Sequence, residues 1–401
     1  MIKKYKPKVI WLHSHFMYWM GGTKYLFEVV SRLKNKFDIT VIVENASPLA
    51  KKYYKDSGIK LVSMNKTTSI SPIYWLTFPY QLYKSEKFVS NYINKNLDRK
   101  TVVVSNMFPM NVIASRLPYM HVQYCFEPFA FFHDPEFIKN FPLTKRLFII
   151  LISILYKGYD IEASSKASRI ITLNNTTAKY IKEIYGQTPE ISYTGINTKH
   201  FRPYVNKKLE DKYNNKKVII HSTDYTPVKG TERMIRIFAK VKEKEPRAHL
   251  LITSTIDNNP EKQRLEEIAK SLGVRKSIEF LGFVDYDLLP QYYSLAKALV
   301  QCSYSERSGT TSMALPVKES MAAGTMAIRF PVKNEDVEDG VTGYLVDPRN
   351  EKEMVDKILK ILDMGSIAYK KAVKRARSYI VKKYTWKNTA DIIYKEIKKE
   401  F

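Results

Sequence analysis

The stretch Ser303–Pro348, SYSERSGTTSMALPVKESMAAGTMAIRFPVKNEDVEDGVTGYLVDP, decides the fold of this 401-residue chain. The apolar residues before it, LAKALVQC, predict a buried strand that ends where the polar residues begin. Ligands of an open α/β sheet bind beyond such carboxyl ends of parallel strands. A helix is then predicted, with Glu319 in its first turns, where the helix dipole favours an acidic group. Gly324 ends that helix and TMAIRF follows as a second buried strand, so the stretch predicts a ligand site on a parallel sheet.

The rest of the chain repeats this alternation of strand and helix. KVIWLH (8–13) is an apolar strand, and Gly21-Gly22 precede a helix with apolar residues at helical spacing. Such glycines can bring backbone N–H groups close to a phosphate, although the spacing alone favours an ordinary tight turn. KKVIIHSTD (216–224) opens a second series of strands and helices. The length suits two domains, and the alternation predicts a parallel sheet in each.

Composition narrows the classes of function. A hydrophobic fraction of 44% indicates a folded protein, and the two cysteines, Cys125 and Cys302, form neither a disulfide framework nor a metal-binding spacing. The opening residues also lack the apolar core of a signal peptide, so a reducing cytoplasm is the simplest setting. No metal is predicted. The net charge of +26 favours polyanionic partners, such as an anionic membrane or nucleotide phosphates. No nucleic-acid-binding motif is present, so nucleic acid is not an expected partner.

Two apolar stretches in the first half are candidates for a membrane-facing surface. Thr67–Tyr83 is rich in aromatic residues, and a core helix explains it as well as a membrane- or acceptor-facing surface does. Leu147–Tyr156, LFIILISILY, is the longest apolar run and about half of the roughly 20 residues that span a bilayer. It therefore favours a buried or interfacial helix over a transmembrane one.

The second half of the opening stretch resembles the nucleotide-sugar site of the family-4 retaining glycosyltransferases of GT-B fold. Their pattern, L-P-x-x-E-A-M-A-x-G and then E-x-V-x-D-G-x-x-G-x-L-V-x-P, is matched at Leu315, Pro316, Glu319, Met321, Ala322 and Gly324, and at Glu335, Val337, Asp339, Gly340, Gly343, Leu345, Val346 and Pro348. The resemblance implies an α/β fold of two Rossmann-like doubly wound domains facing a central cleft. It also implies a hexosyltransferase that moves a sugar from a nucleotide-diphosphate sugar to a hydroxyl acceptor with retention of configuration.

The same resemblance predicts the domain boundaries. Residues 1–200 are expected to form the acceptor-side domain, and 217–384 the nucleotide-sugar domain. The charged stretch 201–216 is predicted as the linker, and 385–401 as a terminal helix that returns to the first domain.

On the donor side, the resemblance assigns Glu319 to the ribose hydroxyls, because a carboxylate accepts two hydrogen bonds from a vicinal diol. Lys229-Gly230 match the lysine and glycine that hold the donor diphosphate, and a cation there stabilises the leaving group. Asp224 stands where the family has an arginine. The missing charge could come from Arg307, Arg329 or Arg233.

The family's glutamate for the donor sugar has two possible counterparts here. Thr311 occupies its place by spacing from Glu319 and is slightly favoured, whereas Glu306 fits the S-x-x-E pattern that begins at Ser303.

On the acceptor side, Gly21-Gly22 match a double glycine of the family. YCFEP (124–128) resembles its Y-C-H-E-P, with Phe126 in place of the histidine. Glu127 and His121 are the acceptor-side candidates, since a carboxylate at a strand end and a nearby histidine suit hydroxyl chemistry.

The expected partners are a UDP- or GDP-linked sugar and a lipid-linked or glycan acceptor at the cytoplasmic face of a membrane, without cofactor or metal. A catalytically silent GT-B subunit that binds or regulates another glycosyltransferase is an alternative, motivated by Asp224, Thr311 and Phe126. A basic nucleic-acid-binding protein is a further, weaker one.

Overall fold

Two parallel β-sheets organise the chain, whose structure is a computed structural model. The structure describes residues 6–18, 21–69, 71–96, 101–139, 141–254, 260–304, 314–331 and 336–401. The described residues form two compact units, the first of 6–194 with 386–401 and the second of 195–304 with 314–385.

The first sheet belongs to the first unit. Its strands are β1 (Lys8–Phe16), β2 (Asp38–Ala46), β3 (Lys60–Ser63), β4 (Thr101–Ser105), β5 (Met120–Tyr124), β6 (Arg169–Thr172) and β7 (Glu190–Ile191). They lie in the order β3-β2-β1-β4-β5-β6-β7 with parallel pairing throughout. The strand order reverses beside β1, which makes the carboxyl end of β1 the expected place for a ligand.

The helices of the first unit cover both faces of this sheet, as parallel strands require. They are α1 (Gly21–Leu33), α2 (Pro48–Ser57), α3 (Pro72–Leu76), α4 (Phe78–Asn96), α5 (Met110–Ser115), α6 (Ala130–His133), α7 (Pro135–Lys139), α8 (Leu143–Ser165) and α9 (Asn175–Tyr185). Residues 386–401 also belong to this unit and include the last helix of the chain, which packs on α1.

The second sheet is built in the same way. Its strands are β8 (Lys217–Thr223), β9 (Ala248–Ser254), β10 (Ile278–Phe283), β11 (Ala298–Gln301), β12 (Met326–Arg329) and β13 (Gly343–Leu345). They lie in the order β10-β9-β8-β11-β12-β13, again with parallel pairing, so the order reverses beside β8. The helices that follow the first unit's are α10 (Lys207–Lys212), α11 (Thr231–Lys244), α12 (Pro260–Ser271), α13 (Leu289–Leu295), α14 (Leu315–Ala322), α15 (Glu351–Leu362), α16 (Ser366–Lys383) and, back in the first unit, α17 (Trp386–Lys398).

The central strands of both sheets are buried because helices cover them on both sides. All the residues of β4, β9, β11 and β12 are buried, and most of them are apolar or small, without a regular alternation of apolar and polar residues. The prediction of two doubly wound parallel sheets is confirmed.

The boundary between the units differs from the prediction. Residues 201–216, predicted as a linker, lie in the second unit and contain α10, whose first turn is capped by the Asn206 side chain. The rings of His200 and Tyr286 stack with centroids 4.1 Å apart, and Phe201 is buried. The charged residues of this stretch thus belong to a solvated helix of the second unit. The boundary between the two units lies between residues 194 and 195.

Candidate functional site

The turn between β8 and α11 lies at the carboxyl end of the second sheet, where the strand order reverses. Pro227–Lys229 form a single 3₁₀ turn, and Gly230 then begins α11 with a left-handed backbone, φ 68°. On the neighbouring strand end, the Tyr304 N–H donates to the Val228 carbonyl at 3.1 Å. The turn is therefore held against the residues that follow β11.

Gly230 is required at this position by both space and backbone conformation. A Cβ atom added here would lie 2.3 Å from the carbonyl oxygen of Cys302 and 3.0 Å from its Cβ. A side chain is also disfavoured at this φ. The glycine thus lets the turn approach the end of β11. The first backbone N–H groups of α11, like those of any helix, have no partner within the helix.

A chain of buried hydrogen bonds fixes the base of this turn. The His221 Nδ1–H donates to the Val300 carbonyl at 2.9 Å, which leaves Nε2 to accept from the Thr231 hydroxyl at 3.2 Å. The Thr231 and Thr223 hydroxyls are 2.7 Å apart, and the Thr223 oxygen accepts the Tyr225 N–H at 2.9 Å. Burial lowers the pKa of His221 to about 4, helped by the nearby Lys229 charge, so the ring is neutral at pH 7.

Lys229 and Asp224, the matched lysine and the residue in place of the family's arginine, face each other. The Lys229 Nζ lies 3.8 Å from the Asp224 Oδ2, and both side chains are about 30% exposed, at 28% and 31%. The other Asp224 oxygen accepts hydrogen bonds from the Thr226 N–H and hydroxyl, at 3.0 and 2.5 Å. The turn thus carries a partly accessible ammonium whose charge is partly offset by a carboxylate.

Glu319 projects from α14 toward the same strand end. Leu315 and Pro316 are the first two residues of this helix, where the fixed φ of proline is favourable. The Glu319 Oε2 lies 3.5 Å from the hydroxyl of Tyr293, a buried α13 residue that also hydrogen-bonds Ser222 of β8. Burial, and then the Glu319 charge, raises the pKa of Tyr293.

Tyr293 is a residue that the sequence analysis missed. It links β8, α13 and α14, and its carbonyl accepts a hydrogen bond from the Thr325 hydroxyl just beyond α14. Nothing in LLPQYYSLAKALV distinguishes Tyr293 from its neighbour Tyr292, because the contact joins residues 26 positions apart.

The three arginines considered as replacements at Asp224 have different surroundings. Arg329 is buried and its Nη1 lies 2.6 Å from the Asp336 carboxylate, so an ion pair already balances its charge. The Arg233 guanidinium lies over the Phe330 ring at 5.2 Å and reaches a cavity beside the turn. Arg307 lies outside the described residues, as do the two candidates for the sugar-binding role, Glu306 and Thr311.

That cavity of about 360 Å³ includes Gly230 and Arg233 in its wall. Its other arginines are neutralised: Arg264 lies 2.8 Å from Glu232 and 2.5 Å from Glu261, and Arg236 lies 2.8 Å from Glu232. Among the described residues, the cavity wall therefore lacks the strong excess of positive charge that a diphosphate favours.

In the first unit, the candidates at the start of α1 and the end of β5 are neighbours. A Cβ atom on Gly22 would lie 3.6 Å from the Phe126 ring, whereas one on Gly21 would have none of the described residues within 4 Å. Phe126 also packs against Tyr25, with ring centroids 5.3 Å apart. Glu127 follows Phe126 and is half-buried, so the structure brings Gly22, Phe126 and Glu127 to one edge of the sheet.

His121 has the surroundings of a structural residue. It is the second residue of β5, it is buried, and its Nε2 lies 2.8 Å from the Ser105 hydroxyl. Burial lowers its pKa to about 3, so the ring is neutral at pH 7. These features favour a packing role over the predicted acceptor-side role.

Two histidines near the end of β1 were missed by the sequence analysis. His13 and His15 have Nδ1 atoms that are buried without a hydrogen-bond partner among the described residues. Burial, and then the charge of His15, lowers the pKa of His13 to about 3, and burial also lowers that of His15. The alternation H-S-H at a strand end was the signal, since alternate residues of a strand share a face.

The described residues contain no group of three His, Cys, Asp or Glu side chains that could hold a metal ion. In those same ranges, no helix has the length and apolarity to cross a membrane.

Residues 205–379 match the family profile described as "Glycosyl transferases group 1". This part of the chain is similar to the group 1 glycosyltransferases. An uncharacterized glycosyltransferase of Methanocaldococcus jannaschii, MJ1607, is 30% identical over 243 residues, which are 56% of this chain and 58% of that protein. The chain spans about half the length of the curated relatives that it matches.

Solved structures share the fold of the whole chain. A glycosyltransferase from Rickettsia africae has a TM-score of 0.76 at 19% identity and covers 99% of this chain and 100% of its own. Alr3699/HepE of Anabaena, solved in complex with UDP-glucose, has a TM-score of 0.73 at 15% identity over 98% of this chain and 99% of its own. The predicted similarity to group 1 glycosyltransferases and the GT-B fold are confirmed.

Proposed function

We propose that this protein is a retaining hexosyltransferase that uses a UDP- or GDP-linked sugar as its donor. The observation that carries the proposal is the Asp224–Gly230 turn, which closes against Cys302 and Tyr304 at the reversal of strand order. This turn lies in the part of the chain that is similar to the group 1 glycosyltransferases. The UDP-glucose bound by the Anabaena neighbour supports a nucleotide sugar as the donor.

In the proposed reaction, the bond between the sugar C1 and the phosphate oxygen breaks, and its electron pair leaves with the nucleoside diphosphate. The acceptor hydroxyl bonds to C1, and its proton passes to the departing diphosphate oxygen. Lys229 and the N–H groups after Gly230 stabilise the negative charge that develops on the diphosphate. Glu319 accepts hydrogen bonds from the ribose, and the Tyr293 hydroxyl beside it holds the carboxylate in place. No metal or cofactor takes part in this proposal.

The proposed acceptor is a lipid-linked or other membrane-associated glycan precursor at the cytoplasmic face of a membrane. The first unit supports this, because aromatic rings and the neutral His13 lie near its candidate residues. Gly21, Gly22 and Glu127 are the proposed acceptor-side residues there.

A catalytically silent subunit that binds another glycosyltransferase is the second candidate. The ion pair between Lys229 and Asp224 favours it, because a carboxylate beside the phosphate-binding lysine opposes an anionic donor. If the protein is silent, it should neither release nucleotide nor transfer sugar, whatever the acceptor.

An assay of nucleotide release separates the two. The purified chain is incubated with UDP- and GDP-sugars and a detergent extract of membrane lipids, and both released nucleotide and labelled lipid are measured. We expect acceptor-dependent release, and the anomeric configuration of the product, read by NMR, should equal that of the donor. Absence of turnover with every donor would favour the silent subunit, and an inverted product would contradict a retaining enzyme.

A further inference from the structure

The helix α8 is apolar on two opposite faces. Its buried face includes Ile149, Ile152 and Tyr156, and Ile152 and Tyr156 belong to the core of the first unit. The opposite face is exposed and consists of Leu143, Leu147, Ile150, Leu151, Ile154 and Leu155. These six recur at spacings of one, three and four residues, which places them on one side of a helix. The outer side of a helix on a water-soluble protein is normally polar, so this stripe needs an apolar partner.

The segment α3–α4 shows the same arrangement. Tyr74, Trp75 and Phe78 are buried, whereas an outer stripe of Ile73, Leu76, Tyr80 and Tyr83 is exposed. The two explanations of Thr67–Tyr83 considered from the sequence thus apply to opposite faces of the same segment.

These two segments contact each other through their buried faces. The Tyr156 hydroxyl donates to the Trp75 carbonyl at 3.2 Å, and the rings of Tyr156 and Phe78 have centroids 4.6 Å apart. The two exposed stripes therefore belong to neighbouring helices, and together we call them the apolar surface. Exposed apolar groups on this scale mark an interaction site, whereas scattered single residues do not.

The apolar surface is accompanied by positive charge. The Nζ atoms of Lys84 and Lys87 lie 4.5 and 5.9 Å from the ring centroids of Tyr80 and Tyr83. The stretch from Lys139 to Lys157 contains basic residues and no acidic one. Lysines beside exposed aromatic and aliphatic groups are typical of surfaces that enter the headgroup region of a bilayer.

The acidic residue of α4 does not offset these charges. Glu86 is paired with Arg116, whose Nη1 lies 2.6 Å from its carboxylate. The net positive charge at the apolar surface is therefore preserved, and it attracts anionic headgroups.

We propose that the apolar surface docks this protein on an anionic lipid bilayer. Its exposed leucines and isoleucines enter the boundary between headgroups and acyl chains, and its lysines contact anionic headgroups. A second copy of this chain is a poorer occupant, since it would bring a like net charge of +26. The inference deepens the proposed function by naming the surface that meets the membrane, and it rests on that function for the nature of the acceptor.

Vesicle flotation tests the proposal with the full chain. Vesicles of phosphatidylcholine alone are compared with vesicles that contain phosphatidylglycerol as well, for the unaltered protein and for Ile154→Glu. Ile154 is 77% exposed on α8. The matched control is Ile367→Glu, which changes a residue that is 87% exposed on α16 in the second unit. Both variants should melt like the unaltered protein, because neither residue is part of a core.

We expect the unaltered protein and Ile367→Glu to float with anionic vesicles, less at high salt and less with neutral vesicles. Ile154→Glu should bind at least about tenfold more weakly. Equal binding of the two variants, or no binding of the unaltered protein, would overturn the proposal. The proposal would also be overturned if the unaltered protein formed a dimer that Ile154→Glu dissociates and did not bind vesicles.

A calorimetric titration with UDP and GDP separates this test from the test of the proposed function. Ile154→Glu should bind nucleoside diphosphate as the unaltered protein does. Loss of flotation with intact nucleotide binding would concern the apolar surface alone, and flotation without any transfer activity would count against the enzyme instead.

Discussion

The loop from β1 to α1 and the turn from β8 to α11 occupy equivalent places in their own sheets and differ in chemistry. Each follows the strand beside the reversal of strand order, and each brings glycine to the start of a helix. Around the first lie the rings of Phe126 and Tyr25 and the neutral His13. Around the second lie the charges of Asp224 and Lys229.

The difference shows that one architectural position can serve two kinds of ligand. A neutral, aromatic environment suits a sugar or lipid acceptor, whereas an ammonium beside free backbone N–H groups suits a diphosphate. The predictions below change one of these environments at a time.

The largest effect is expected for Gly230→Ala. The new Cβ would lie 2.3 Å from the Cys302 carbonyl oxygen, so the turn must move away from the end of β11. We expect nucleoside diphosphate binding to be lost and the free energy of unfolding to fall by more than the roughly 1–2 kcal/mol of a left-handed alanine.

The control for this prediction is Gly273→Ala in the same unit. Its φ is 70°, close to the 68° of Gly230, but nothing lies within 4 Å of the added Cβ. It should show the conformational cost alone and keep nucleotide binding. Equal effects of the two substitutions in urea unfolding and in binding would show that the close approach at Gly230 is unimportant.

Next in size is Glu319→Gln, which keeps the shape of the side chain and removes its charge. Hydrogen bonds to a charged group contribute about 1.5–3 kcal/mol, so binding of a ribonucleoside diphosphate should weaken roughly tenfold or more. The same titration with a 2′,3′-dideoxy analogue is the check. The analogue should bind the unaltered protein weakly, and Glu319→Gln should weaken it no further.

A smaller effect is expected in the pH dependence of the free energy of unfolding. The pKa of His221 is lowered to about 4 in the folded protein, against about 6.5 when unfolded. Between these two pH values the unfolded state therefore binds more protons than the folded state. The contribution of His221 to the free energy of unfolding is fully present above about pH 6.5 and is lost as the pH is lowered toward 4. Glu44 acts in the opposite direction, since burial raises its pKa to about 7.

Comparison with His221→Gln isolates the histidine. Urea unfolding followed by circular dichroism at pH 7.5 and 5.0 should show a loss of stability on acidification that is smaller in the variant by about 1–2 kcal/mol. The same loss in both proteins would mean that His221 is not held neutral by the folded second unit.

The smallest effect is expected for Asp224→Asn. Removing the carboxylate 3.8 Å from the Lys229 Nζ leaves that charge free to meet a phosphate, while the amide oxygen can still accept from Thr226. Both side chains are nearly one-third exposed, so the gain is moderated by solvent screening. We expect nucleoside diphosphate to bind a few times more tightly by calorimetry. Weaker binding would show that Asp224 contacts the ligand favourably.

Much of the fold and part of the site could be predicted because their signals are local. Leu315, Pro316 and Glu319 lie within five residues of one another, and the lysine and glycine of the β8–α11 turn are adjacent. The central strands were predictable because both of their faces are covered, which makes their sequences largely apolar.

The remaining features depend on contacts between distant residues. The sequence placed Asp224 at an unexpected position but could not show that it faces Lys229, and Tyr293 meets Glu319 across 26 positions. The stretch 201–216 was assigned to a linker from its charge, because the stacking of His200 on Tyr286 has no local signal. Trp75 and Leu76 are adjacent in sequence yet lie on buried and exposed faces, which composition alone does not separate.

The most direct test of the account is calorimetric titration of the full chain with UDP, GDP and the corresponding monophosphates, with and without Lys229→Ala. The account predicts that one of the diphosphates binds at least about tenfold more tightly than its monophosphate, and that Lys229→Ala removes most of that difference. Equal affinity for diphosphate and monophosphate, or a preference that survives Lys229→Ala, would contradict a diphosphate site at the β8–α11 turn.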